Sequence, residues 1–146
     1  QKSGLWGRWK VDEKQLQAYW QAYTDAWRLI KNRDRVQKKH VTEMVKKHDI
    51  GVMNRLFCLV VWQEIKRINN GGIPLEDSKY QVAFTGAWRI FKKYSVPDDT
   101  DEFWMGLTRE INLLGLEYQN SQFIRNLLVH VTLEEIERIE RNEYHE

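Results

Sequence analysis

The chain has 146 residues, 42% of them hydrophobic and 30% charged, with a formal net charge of +2. Those proportions belong to a folded soluble domain and exclude a disordered one, and the length allows one core or two small ones sharing an interface. The single Cys58 excludes an intrachain disulfide and makes a reducing, cytoplasmic setting the expectation.

The small net charge hides an asymmetry. Residues 1–72 carry 15 Lys and Arg against 7 Asp and Glu, whereas residues 73–146 carry 8 against 14. A dipolar chain of this kind can dock an anionic partner on its basic half or pair with itself as a homodimer.

In chain order, residues 1–12 read as an N-terminal arm in which Leu5, Trp6 and Trp9 can fold back on the body, and Gly4–Lys10 is too polar for a signal peptide. Asp12 is placed to cap a first helix over about Glu13–Asn32. A break near Asn32–Asp34 follows, with Asp34 capping a second helix that ends around His48 and Asp49. The third helix, about Val52–Ile68, is apolar nearly all round and should be the most buried. Its run Leu56–Val61 is far shorter than a membrane span. Asn69–Pro74 is the clearest breaker. A fourth helix is expected over Leu75–Tyr94, then a fifth capped by Asp98, Asp99 or Thr100 with Phe103, Trp104, Leu107, Ile111, Leu114 and Tyr118 on one stripe. Gln119–Ser121 separates it from a last helix beginning at Ser121 or Gln122.

The pattern is internally repeated. Tyr19–Lys31 returns as Tyr80–Lys92 at a constant offset of 61, with Tyr, Ala, Thr, Ala, Trp, Arg and Lys identical. Apolar positions recur at helical spacing in both copies, which assigns their aromatics to the core. Val52–Val60 likewise aligns with Phe123–Val131, and Glu64–Ile68 with Glu135–Ile139, at an offset of 71. The expected fold is all-α, with about six helices in two tandem three-helix repeats: residues 13–72 (basic) and 73–146 (acidic). They should pack as one bundle about a pseudo-two-fold axis, because a unit of that size buries little alone.

Tyr80, Ala83-Phe84, Ala87-Trp88, Phe91-Lys92-Lys93-Tyr94, Asp101–Trp104, Tyr118, Phe123, Leu127-Leu128 and Glu134–Arg138 together form a pattern that resembles small α-helical proteins of phages and conjugative elements in Gram-positive gut bacteria. The resemblance covers residues 75–141 well and 13–68 as a diverged copy. It implies a mobile-element context, in which such proteins bind host or phage machinery, including defence complexes. It carries no catalytic residues with it.

Three constellations bear on chemistry. His48-Asp49-Ile50-Gly51, with His40 upstream, looks like the His-Asp dyad of metal-dependent phosphohydrolases. That family draws its first His from a separate helix, and Val52 stands where Lys is usual, so these residues read as a helix end. Asp98–Asp101 fails as a calcium loop because Phe103 and Trp104 fall where an oxygen ligand and Gly are needed. Arg125-Asn126-Leu127-Leu128-Val129-His130 looks like the Arg-polar-x-x-x-His signature of HEPN ribonucleases, which are all-α and act on RNA without metal. In that chemistry His130 serves as general acid or base and Arg125 stabilises the phosphorane. Thr132–Glu135 has capping-box spacing, which predicts a new helix start after His130. The aligned first copy has Asn54 at the position of Arg125.

The broadest signal is a basic stretch: Arg28, Lys31, Arg33, Arg35, Lys38, Lys39, Lys46 and Lys47, joined by Arg8, Trp9 and Lys10. It can track a phosphate backbone or meet an acidic protein surface. The resulting expectation is a non-catalytic interaction protein that binds or inhibits a protein or nucleoprotein complex, such as a host defence nuclease, through this face. A HEPN-like ribonuclease is the alternative, and a single-stranded nucleic-acid binder the third. No metal ligands, cofactor or membrane contact are expected.

Overall fold

Asp12 opens the first helix as expected: its Oδ1 accepts from Gln15 N at 2.8 Å while Gln15 Oε1 accepts from Asp12 N at 3.2 Å, a reciprocal cap that satisfies two otherwise orphaned amides. The computed structural model describes residues 11–141, with the backbone alone at Val45 and Lys46. The N-terminal arm through Lys10, with Arg8 and Trp9, and the tail beyond Arg141 lie outside the described residues.

The described chain is all-helical. The helices are α1 (Glu13–Lys31), α2 (Lys38–Lys47), α3 (Met53–Asn69), α4 (Asp77–Lys93), α5 (Asp101–Glu117) and a continuous α6 over 122–140, with a 3-10 turn at Arg33–Arg35. Asp34 lies in that turn, and Gln37 caps α2 instead. The Asp34 cap is thus corrected: the chain turns once more before α2 begins. Thr100 caps α5, accepting from Phe103 N at 3.2 Å, and Ser121 caps α6.

The core is built around α1 against α4, the most extensive helix pair. Ala22, Ala26, Ala83 and Ala87 are fully buried, and such small side chains let two helices approach closely. The pair runs antiparallel: Tyr19 near the start of α1 meets Phe91 near the end of α4 at 4.5 Å between ring centroids, while Arg33 beyond α1 pairs with Asp77 at the start of α4 at 3.2 Å. α3 packs on α1 and α2, and α6 fills the groove between α3 and α4. Phe57, Val61, Ile65, Leu127 and Ile136 are at or below 1% exposure. Each such side chain contributes roughly 1.5–3 kcal/mol of transfer free energy. α3 is less wrapped than its composition suggests, since Leu59 is 52% exposed.

The sequence-based break after His130 is overturned. α6 continues through Asn126–Leu133 as a π-helical segment and on through Glu134–Glu140. Its inward residues explain why. Phe123 and Ile124, Leu127 and Leu128, Val131 and Thr132, Glu135 and Ile136, then Ile139 are buried, a spacing of four. An α-helix has 3.6 residues per turn, so each step of four would rotate that face by about 40°. The wider turn holds it against α3 and α4. Thr132 is therefore not a cap: it is fully buried, and its Oγ1 donates to Leu127 O at 3.0 Å.

Candidate functional site: a basic face beside an aromatic cleft

The structure separates seven of the eight basic candidates into groups, and the side chain of Lys46 lies outside the described residues. Arg33 is a strut, with Nη1 donating to Ile30 O at 3.1 Å and to Asp77 at 3.2 Å, and its guanidinium 5.8 Å from the centre of the Tyr80 ring. Arg28 and Lys47 converge on Asp25, at 3.6 and 3.1 Å. His48 is buried and places Nε2 2.8 Å from Asp25 Oδ2, so His48, not the His48-Asp49 pair, binds α2's end to α1. One carboxylate there faces three donors, and the cluster keeps a positive excess.

Lys31, Arg35, Lys38 and Lys39 are exposed and enter no ion pair among the described residues. They follow the end of α1 through the 3-10 turn to the start of α2. No acid stands in α2's first turn, and the Gln37 amide donates to His40 Nδ1 at 2.9 Å. Lys38 and Lys39 thus sit at the positive end of a helix dipole, the wrong sign for local stability.

Arg125 and His130 are both exposed. They are five residues apart where the chain enters the π segment, and i to i+5 is the repeat of π hydrogen bonding, so the two positions come closer to one face than in an α-helix. His130 Nδ1 lies 2.9 Å from Glu134 Oε2. No hydrogen bond or ion pair joins Arg125 to His130 among the described residues.

The aromatic stripe needs a correction. Tyr19, Tyr23, Tyr80, Phe84 and Phe91 are core residues, but Trp27 and Trp88 are only partly buried and Trp20 is 42% exposed. These three indoles line a cleft of about 290 Å³ between α1 and α4, together with Tyr23, Thr24, Arg28, Gln81, Phe84 and Thr85. Tyr23 and Phe84, Thr24 and Thr85, and Trp27 and Trp88 each stand 61 positions apart in the sequence, so α1 and α4 supply the same kinds of wall. Trp27 lies at the edge of its helical stripe. Whether an edge residue is sealed or left open depends on the neighbouring helix, which periodicity alone does not reveal.

Two buried clusters brace the helices beneath. Tyr80 donates to Glu64 Oε2, and Arg67 forks onto Glu64 through Nε at 2.9 Å and Nη2 at 2.7 Å. Burial, with the bond to Glu64, pushes the Tyr80 hydroxyl up to about 12. Tyr19 donates to Glu135 Oε2 at 2.6 Å, and Arg138 Nε donates to Glu135 Oε1 at 2.8 Å. Glu135 is fully buried, and desolvation pushes its carboxyl up to about 7 despite Tyr19 and Arg138. Closed to solvent, Glu135 acts as a clamp, not as a group reaching substrate. A further cleft of about 340 Å³ opens beside Glu64 and Arg67, walled by Lys79, Tyr118 and Ser121; its charges largely offset one another.

Among the described residues no group of His, Cys, Asp and Glu is arranged to hold a metal ion, and no helix is long and apolar enough to cross a membrane. No protein-family model, curated protein or solved structure matches the chain.

Proposed function

We propose that this chain is a non-catalytic interaction protein that docks an anionic protein or nucleoprotein surface through the basic face formed by Lys31, Arg35, Lys38 and Lys39. One observation carries the reading: four exposed cations enter no ion pair among the described residues, and two of them, Lys38 and Lys39, stand at a helix start where the dipole favours acids. Residues kept against local stability mark places where another requirement is met. The resemblance to phage and mobile-element proteins supports a host complex, such as a defence nuclease that the chain inhibits, as the class of partner, and a cytoplasmic setting accords with it. The crosswise Tyr–Glu–Arg clusters support treating the chain as two repeats about a pseudo-two-fold axis. The test is to capture complexes from cells with the wild-type chain and with Lys38→Glu/Lys39→Glu, measuring protein and nucleic-acid content. A partner held equally by both forms refutes the proposal.

A second reading, a HEPN-like ribonuclease, is favoured by the π segment that starts between Arg125 and His130. It requires RNA cleavage that disappears in His130→Ala; equal cleavage by wild type and variant removes it.

A further inference from the structure

The basic face leaves the α1–α4 cleft unused, and three features there point to a ligand. First, its walls are large rings with free polar edges. The Trp104 indole donates to Asp98 O at 2.9 Å, whereas the indole N–H groups of Trp20, Trp27 and Trp88 make no hydrogen bond among the described residues. Open to solvent, these N–H groups are available to a bound group that carries acceptors. Second, Trp27 and Trp88 line one cleft without stacking on each other, and Trp88 instead lies 27° from the plane of Phe91 at 6.2 Å. About 290 Å³ is at the low end of ligand clefts, a size for one small ring system. Third, Arg28 is the sole charged residue of the lining among the described residues, its side chain is 67% exposed, and it also borders the adjoining cleft between α1 and α2 with Lys47. Lys31 follows it by three residues on the same helix face.

We propose that this cleft seats a nucleobase of a single-stranded nucleic-acid segment, stacked against Trp27 or Trp88, with the flanking phosphates on Arg28, Lys31 and the basic face beyond. The inference rests on the basic-face reading and names its partner as the nucleic acid. A base supplies what the lining lacks: a planar face for the rings, and edge donors and acceptors for the indoles, the Gln81 amide and the Thr85 hydroxyl. An aliphatic side chain would leave those groups unanswered. The phosphates meet a cationic path that begins at the cleft's own edge, the combination by which single strands are held without sequence readout.

The experiment titrates octamers of deoxythymidine and of uridine into the full chain, following tryptophan quenching and anisotropy at several salt concentrations. A poly-glutamate peptide runs in parallel, and circular dichroism verifies each variant's fold. Trp27→Leu and Trp88→Leu, which leave the buried Tyr and Phe core in place, should weaken octamer binding with an unchanged salt slope, the variant that loses the stack by about 5- to 100-fold. Lys38→Glu/Lys39→Glu should weaken binding and flatten the slope. If the charge reversal weakens octamer binding while both Trp variants bind as wild type, the cleft proposal falls and the basic face stands. If poly-glutamate binds and the octamers do not, the partner is an acidic protein surface and the cleft proposal is overturned. Binding of neither probe at low salt overturns both.

Discussion

The Tyr19 hydroxyl donates to Glu135 Oε2 at 2.6 Å across 116 positions of sequence, and the corresponding Tyr80 donates to the corresponding Glu64. Tyr19 and Tyr80 stand 61 positions apart in matching stretches of sequence, and Glu64 and Glu135 stand 71 apart; each tyrosine reaches the glutamate on the other side of residue 72, so the two halves of the chain are tied crosswise. Tyr19→Phe removes one tie and strips a buried carboxylate of a donor, a loss of about 1.5–3 kcal/mol for a charge-assisted bond. Urea denaturation should show a lower midpoint with an unchanged slope. The loss should be larger at pH 8 than at pH 5.5, because the hydroxyl favours the ionised form.

Glu135 also sets a pH dependence. Its carboxyl, pushed up to about 7 by burial, stays protonated in the fold through a range where the unfolded chain, near the ordinary glutamate value, has lost the proton. The folded state then binds more protons, so this group's contribution to stability is present below about pH 4 and declines as pH rises through 7. Glu135→Gln removes that titration while keeping an acceptor for Tyr19. Wild type minus variant stability should therefore fall between pH 5 and pH 8 by an amount on the order of 2–3 kcal/mol. A difference that is flat or rises with pH contradicts the assignment.

Much of this arrangement was legible in the residues and part was not, for identifiable reasons. Asp12, Thr100 and Ser121 declare their caps because capping is a local event. The repeat named Tyr19 with Tyr80 and Glu64 with Glu135, but alignment relates equivalent residues and does not say which of them touch. The π segment left a readable trace, inward pairs every four residues from Phe123 to Ile139, which helical periodicity at 3.6 hides. The Thr132 capping pattern misleads because its hydroxyl is taken up inside, by Leu127 O and by Tyr23, whose hydroxyl lies 2.6 Å away. Trp27 and Trp88 sit at a stripe's edge, and only the approach of α4 to α1 decides that they wall a cleft.

Two helix ends share one backbone motif with different residues. After α3, Gly71 takes φ +99° and Gly72 N donates to Arg67 O at 2.9 Å; after α5, Gln119 takes φ +55° and Asn120 N donates to Gly115 O at 2.9 Å. Such C-terminal turns favour Gly at the left-handed position. Gln119→Gly should accordingly raise stability by about 1 kcal/mol. Gly72→Ala should lower it by 1–3 kcal/mol, an order-of-magnitude figure for a backbone clash, because a Cβ there would stand 2.7 Å from Arg67 O and 2.6 Å from its Nη1. Thermal unfolding of both variants checks the opposite signs.

The basic face yields the prediction that separates stability from function. Lys38 and Lys39 occupy the first turn of α2, with no acid beside them in that turn. Replacing both with Glu places negative charge at the positive end of the dipole, worth about 0.3–1 kcal/mol for each favourable charge. Asp34 and Glu43 are nearby acids that temper the gain, and salt screens it. The doubly reversed chain should thus unfold at a slightly higher temperature in low salt while losing its partner. A purely structural surface would gain stability without a binding defect, and a generally damaged fold would lose both. Only a face retained for docking moves the two measurements in opposite directions.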